Sequence, residues 1–123
     1  MARPTVLVVE DDAGLRLALE HGLAAEGFEV AVAPDAGTGC ERAAQVRPDV
    51  VLLDWGLADG DGGTAALRRL SEAHPEGQVV MLTGRSDEAS QEAALRAGAR
   101  AFLTKGIGLG DLADELRRLL ASA

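Results

Sequence analysis

The sequence predicts an α/β fold: a doubly wound, five-stranded parallel sheet with helices on both faces. Short runs of apolar, largely β-branched residues without polar alternation recur along the chain, as is typical of strands buried on both faces. Segments with the apolar spacing of amphipathic helices lie between them. This alternation favours a parallel sheet whose strands are joined by right-handed helical crossovers.

The first half of the chain contains two strand–helix units. Residues 5–9 (TVLVV) form a β-branched run and the first predicted strand. The helix after it has leucines at helical spacing and ends at Gly27. Residues 28–32 form the second predicted strand, and a proline–aspartate pair precedes a helix near 36–45.

The second half continues the same alternation. Its central strand consists of four consecutive apolar residues, and prolines and glycines separate the later segments. The predicted segments are strand 50–53, helix 63–73, strand 78–83, helix 86–97, strand 100–104, and a final amphipathic helix with Leu109, Leu112, Ala113, Leu116 and Leu120 on its apolar face.

The length, net charge and cysteine content of the chain exclude several classes of protein. The 123 residues fit one domain, carry a formal net charge of −8, and contain no apolar run long enough to span a membrane. The negative charge argues against direct binding of nucleic acid or of an anionic membrane. Cys40 is the only cysteine, which excludes an internal disulfide and fits a cytoplasmic location. His21 and His74 are assigned to the surface.

Polar side chains follow the predicted strands at the points where the strands end. Glu10 and Asp11 follow the first strand, Asp54 the third, Thr83 ends the fourth and Lys105 follows the fifth. In doubly wound sheets, functional groups lie at the carboxyl ends of the strands, beside the point where the strand order reverses. We therefore expect these five side chains to converge.

Such a cluster suits phosphoryl transfer. Three converging carboxylates repel one another unless a divalent cation lies among them, and oxygen-only ligands favour Mg²⁺. The chain's only lysine supplies a compact positive charge for an anion, and a threonine hydroxyl supplies a hydrogen-bond donor. Phosphoryl transfer requires mainly positioning and charge neutralisation, and Asp54 would be the nucleophile.

Taken singly, three of these residues, and Phe102 in the fifth predicted strand, have simpler interpretations. Asp54 could cap a turn, Thr83 could be an ordinary strand residue, Phe102 could be plain core, and Lys105 could be a solvated charge. Only the joint pattern favours a site.

Four motifs resemble the receiver domain of two-component response regulators, over essentially the whole chain. They are VLVVEDD (6–12), VVLLDWGLADGDG (50–62), MLTG (81–84) and GARAFLTK (98–105). The resemblance implies a flavodoxin-like fold with strand order 2-1-3-4-5. It also implies that Asp54 accepts a phosphoryl group from a sensor histidine kinase or a phosphotransfer protein.

The resemblance also implies a metal site and a switch. Asp11 and Asp54 would ligate Mg²⁺ directly, Glu10 would do so through water, and the Gly56 carbonyl would complete the set.

Thr83 would move to hydrogen-bond the phosphoryl group, Lys105 would pair with it, and Phe102 would turn inward. The fourth helix, fifth strand and last helix would present the switched surface to an output domain, an output protein or a second copy of the chain. Beyond its own phosphorylation and dephosphorylation, no enzymatic activity is expected.

Two positions depart from the family pattern. Ala58 and Gly106 stand where family members often have proline, and at Gly106 that proline is often in a cis peptide. Since a cis bond before a residue other than proline costs about 3 kcal/mol, we expect the Lys105–Gly106 peptide to be trans or visibly strained.

Three alternative functions fit the sequence less well. A degenerate receiver that is never phosphorylated would not need the intact acidic set. An aspartate-nucleophile phosphohydrolase needs a second carboxylate two residues after the nucleophile, where this chain has Gly56. A flavodoxin needs a hydroxyl-rich phosphate loop, which VEDDAGL (9–15) is not.

Overall fold

The apolar runs of the sequence form the sheet in a computed structural model that describes residues 3–54, 64–84 and 88–121. The order is β2-β1-β3-β4-β5 and every neighbouring pair is parallel, which confirms the predicted fold and the order 2-1-3-4-5. The strands are β1 Thr5–Val9, β2 Glu29–Ala33, β3 Val50–Asp54, β4 Gln78–Thr83 and β5 Ala101–Thr104.

Helices alternate with the strands, as predicted. Asp12 and Asp35 cap the first two helices, where their carboxylates accept hydrogen bonds from main-chain N–H groups three residues later. Within the described ranges, no helix has both the length and the apolar character needed to cross a membrane. The helices are α1 Ala13–Ala25, α2 Ala36–Val46, α3 Thr64–Ala73, α4 Glu88–Arg96 and α5 Leu109–Ala121.

The core has one layer on each face of the sheet. The side chains of β3 alternate between the layers: Val51 and Leu53 pack with α2, α3 and α4, while Val50 and Leu52 pack with α1 and α5. All five residues of β3 are buried. The central strand therefore lacks polar alternation because both of its faces are covered by helices.

Several element details differ from the sequence prediction, including β5, which begins at Ala101 and not at Arg100, and α4, which ends at Arg96 and not at Ala97. Strand β2 begins one residue later, because the Phe28 N–H bonds to Leu23 O and so belongs to the end of α1. In α5, Leu119 is buried in place of Leu120, and Leu109 is 38% exposed. Leu119 lies seven residues after Leu112 and thus on the same helix face.

His74 is buried, and its assignment to the surface was wrong. Its side chain is 5% exposed, with Nε2 2.7 Å from the Pro48 carbonyl oxygen and Nδ1 3.2 Å from Glu76 Oε2. The ring joins the segment before β3 to the segment before β4, at the end of the sheet opposite the acidic residues. His21 is exposed, as predicted.

Candidate functional site

The acidic cluster arises from the register of the two central strands. Val9 pairs with Leu53, so Glu10, the residue after β1, lies beside Asp54, the last residue of β3. Glu10, Asp11 and Asp54 each place a carboxylate oxygen within 4.8 Å of the others. The structure therefore brings together the three acids that the sequence assigned to one site.

Glu10 is the most confined acid of the cluster. The residue is 1% exposed, and its Oε2 accepts a hydrogen bond of 3.0 Å from the Asp12 N–H. Burial raises the pKa of the Glu10 carboxyl to about 7; the Asp12 N–H opposes that rise, and the adjacent Asp54 carboxylate adds to it. A cation bound beside this carboxyl would lower that pKa and favour the ionised form.

Lys105 supplies positive charge from the far side of the site. Its Nζ lies 3.1 Å from Asp54 Oδ2 and 3.3 Å from Glu10 Oε1. Burial lowers the pKa of the ammonium, but hydrogen bonding and charge attraction from Asp54 and Glu10 outweigh that effect, so its pKa is raised. One ammonium therefore faces two buried carboxylates.

The donor set fits Mg²⁺. Glu10 Oε1 is buried and accepts no hydrogen bond of good geometry, although Lys105 Nζ forms an ion pair with it. Asp11 is exposed at the open side of the cluster, where a partly hydrated cation has access. All three donors are carboxylate oxygens, which Mg²⁺ prefers over nitrogen or sulfur ligands.

Thr83 and Phe102 lie on one face of the sheet. Phe102 pairs with Met81, which precedes Thr83 by two residues in β4, and Thr83 pairs with Thr104. Since paired residues and residues two apart share a face, Phe102 lies diagonally across from Thr83. Thr83 is buried, while Phe102 is half-buried and packs against the core layer of α2, α3 and α4.

The helix next to this pair packs lightly. Ala94 is the one residue of α4 that is fully buried. An alanine contributes little packing area, so few side-chain contacts hold this face of α4 against the sheet.

Some predicted features are outside the described residues. They are Gly56 as a metal ligand, the loop at Ala58, the side chain of Trp55 and the helix start at Ser86. The peptide between Lys105 and Gly106 is trans, because the described chain contains no cis peptide bond.

Arg16 also contacts this site, although no sequence motif predicted it. Its Nη1 donates a hydrogen bond of 2.9 Å to the main-chain carbonyl of Glu10. A basic residue in the first turn of a helix is unfavourable for the helix dipole, and that anomaly beside three acids was the available signal.

Comparison with known proteins agrees with the geometry. A family described as the response regulator receiver domain matches residues 6–117. The chain is 40% identical over 114 residues to the KDP operon transcriptional regulatory protein KdpE of Escherichia coli, an alignment that covers 91% of this chain and 49% of KdpE. It is 38% identical over 119 residues to the transcriptional regulatory protein PrrA of Mycobacterium tuberculosis, with 95% of this chain and 50% of PrrA covered.

Solved structures show the same fold. A CheY-like response regulator receiver domain from Methanospirillum hungatei superposes with a TM-score of 0.89 at 27% identity, covering 98% of this chain and 96% of that one. The chain spans about half the length of the relatives KdpE and PrrA.

Proposed function

The chain belongs to the response regulator receiver domain family, and from this premise we propose that Asp54 is its phosphoacceptor and that Mg²⁺ binds among Glu10, Asp11 and Asp54. One observation carries the proposal: the ends of three strands bring two further carboxylates and an ammonium around the Asp54 side chain. Asp54 Oδ2 is held by Lys105 at 3.1 Å.

The proposed reaction is transfer of a phosphoryl group from a phosphohistidine of a sensor kinase or phosphotransfer protein. The P–N bond of the donor breaks, a bond forms between phosphorus and an Asp54 carboxylate oxygen, and the imidazole leaves with its electron pair. Mg²⁺, when bound, neutralises charge on the phosphoryl oxygens and on the carboxylates. Lys105 exchanges part of its ion pair with Asp54 for one with the phosphoryl group.

The proposed output follows from the pair on the β4–β5 face. The phosphoryl group would draw the Thr83 hydroxyl toward itself as a hydrogen-bond donor, and Phe102 would turn into the space released. Phe102 lies in β5, beside the lightly packed α4, so the surface of α4, β5 and α5 would report the phosphorylation. That surface would meet an output domain, an output protein or a second copy of the chain.

The relatives suggest the class of output. KdpE and PrrA are transcriptional regulatory proteins by name. By similarity, the partner of the α4–β5–α5 surface would be a domain or protein that regulates transcription.

Tryptophan emission tests the proposed chemistry. Trp55 is the only tryptophan, directly follows Asp54, and has no tyrosine background in this chain. We expect a saturable change on addition of Mg²⁺ and a second change with acetyl phosphate that reverses on hydrolysis. Asp54→Asn should lose the second step while retaining a response to the metal. An identical second step in Asp54→Asn would contradict the proposal.

A further inference from the structure

The Arg16 side chain makes a contact that links helix α1 to the acidic loop. The residue is half-buried in the first turn of α1, and its Nη1 donates a 2.9 Å hydrogen bond to Glu10 O. Across the described ranges the guanidinium has no carboxylate partner within ion-pair distance, although Glu10, Asp11 and Asp12 are close in sequence. Its directed contact is thus to the main chain.

That contact lies at the residue where the chain leaves the sheet. The Glu10 N–H still bonds to Ala33 O at 3.0 Å, but Glu10 lies past the last residue of β1. Its carbonyl group is therefore beyond the regular ladder, and Arg16 supplies the donor that it needs. The Asp12 N–H holds Glu10 Oε2 at 3.0 Å.

These contacts determine where the ligand oxygens lie. With its N–H, its carbonyl and Oε2 engaged, Glu10 keeps Oε1 as the oxygen near Lys105 Nζ. The carbonyl of Glu10 belongs to the peptide plane that joins Glu10 to Asp11. Fixing that plane also fixes the positions of the Asp11 nitrogen and Cα, from which the Asp11 side chain projects.

We propose that Arg16 is a positioning residue of the cation site, which aligns Glu10 and Asp11 through the Glu10 carbonyl. The inference rests on the proposed function, because it assumes that the three carboxylates bind Mg²⁺. The inference also predicts a change in Mg²⁺ affinity opposite in direction to the one that electrostatic repulsion alone predicts. A guanidinium near a cation site repels the cation, so a purely electrostatic Arg16 would weaken Mg²⁺ binding, and its removal would strengthen it.

The direction of change in Mg²⁺ affinity tests the proposal. Arg16→Met keeps an apolar stem but removes both the charge and the donors. Because substitution of groups that orient metal ligands typically reduces affinity about 10- to 100-fold, we expect the Mg²⁺ dissociation constant to rise at least about 10-fold. Arg42→Met, on α2, removes the same charge at a distance from the loop and should leave that constant within about twofold of the parent value.

A second variant separates position from charge and from folding. Arg16→Lys keeps the charge but lacks the planar fork, so its dissociation constant should lie between those of the parent and Arg16→Met. Melting temperatures in EDTA show whether each variant folds. If Arg16→Met does not fold, the Mg²⁺ dissociation constant of Arg16→Lys alone tests the proposal. Phosphorylation by acetyl phosphate should need more Mg²⁺ for half-maximal rate in both variants, with the maximal rate nearly restored at saturating Mg²⁺.

Three results would overturn the inference. If folded Arg16→Met binds Mg²⁺ as tightly as the parent or more tightly, or if Arg16→Lys matches the parent where Arg16→Met does not fold, Arg16 does not position the ligands. If the parent itself binds no Mg²⁺, both the proposed metal site and this inference fall, whereas parental binding with unchanged variants removes only the inference.

Discussion

The ammonium of Lys105 lies 3.1 Å from Asp54 Oδ2, so the proposed nucleophile is ion-paired before a phosphoryl group arrives. The same nitrogen lies 3.3 Å from Glu10 Oε1. Asp54 and Glu10 are both nearly inaccessible to solvent, and a buried carboxylate without a partner is costly. Lys105 is therefore a structural counterion as well as a candidate ligand for the phosphoryl group.

Replacing Lys105 by methionine should destabilise the metal-free domain. The variant leaves two buried carboxylates without their cation, and we expect a loss of about 2 kcal/mol in the free energy of unfolding, below the usual cost for a fully buried pair because the lysine side chain is 29% exposed. Urea unfolding in EDTA measures this loss, and Mg²⁺ should stabilise the variant more than the parent. Lys105→Arg retains the charge and serves as control. A methionine variant as stable as the parent would show that the ion pair is unimportant.

Stability of the metal-free domain should depend on the protonation of Glu10. Its folded-state pKa of about 7 lies above the ordinary value of 4.5, so the folded state binds the proton more tightly than the unfolded state. The free energy of unfolding should therefore fall as pH rises from about 4.5 to 7, by at most about 1.4 kcal/mol per pH unit from this group.

Glu10→Gln isolates that contribution. We expect the unfolding free energy of the parent, measured in EDTA, to fall relative to that of Glu10→Gln as pH rises from about 4.5 to 7. In the parent, Mg²⁺ affinity should increase over the same range, because the metal binds the ionised carboxylate. Identical pH profiles of unfolding free energy for the two proteins would show that Glu10 is not the source of the pH dependence.

His74 should contribute far more to stability than His21, although the sequence alone did not separate them. The buried His74 ring faces the Pro48 carbonyl oxygen at 2.7 Å and Glu76 Oε2 at 3.2 Å, whereas His21 is exposed on α1. We expect His74→Ala to cost about 2 kcal/mol and His21→Ala less than about 0.5 kcal/mol in urea unfolding. Equal costs would contradict the structural role of His74.

The site was predictable because strand ends are visible in sequence. Glu10, Asp54 and Lys105 each follow an apolar run, and a parallel sheet brings such positions to one edge. His74 and Arg16 were not predictable in this way. Each contacts a main-chain carbonyl, those of Pro48 and Glu10 respectively, and no pattern of side chains reveals which carbonyls leave the hydrogen-bond ladder.

The buried faces of the helices were likewise only partly predictable from the sequence. The period of α5 predicted an amphipathic helix, but the choice between Leu119 and Leu120 depends on how the helix is rotated against the sheet. The rotation of α5 is set by its packing against α1 and the strands. The periodicity of a single sequence carries no information about those contacts.

Phosphorylation should change amide exchange along one side of the domain. Thr83 and Phe102 share a sheet face, and α4 buries only Ala94, so exchange in α4 and β5 should change more than in α1. Hydrogen exchange with and without acetyl phosphate and Mg²⁺ measures this. Thr83→Ala should still accept the phosphoryl group but lose the change at Phe102. A uniform change, or one confined to α1, would count against the switch.

Intact-protein mass spectrometry tests the central claim, phosphorylation of Asp54, most directly. The protein is incubated with acetyl phosphate and Mg²⁺, with Asp54→Asn and Asp49→Asn as matched variants; Asp49 lies before β3 at the opposite end of the strand. We expect one phosphoryl group on the parent and on Asp49→Asn, removable by hydroxylamine as an acyl phosphate should be, and none on Asp54→Asn. Equal incorporation into a folded Asp54→Asn variant would place the phosphoacceptor elsewhere and contradict the account.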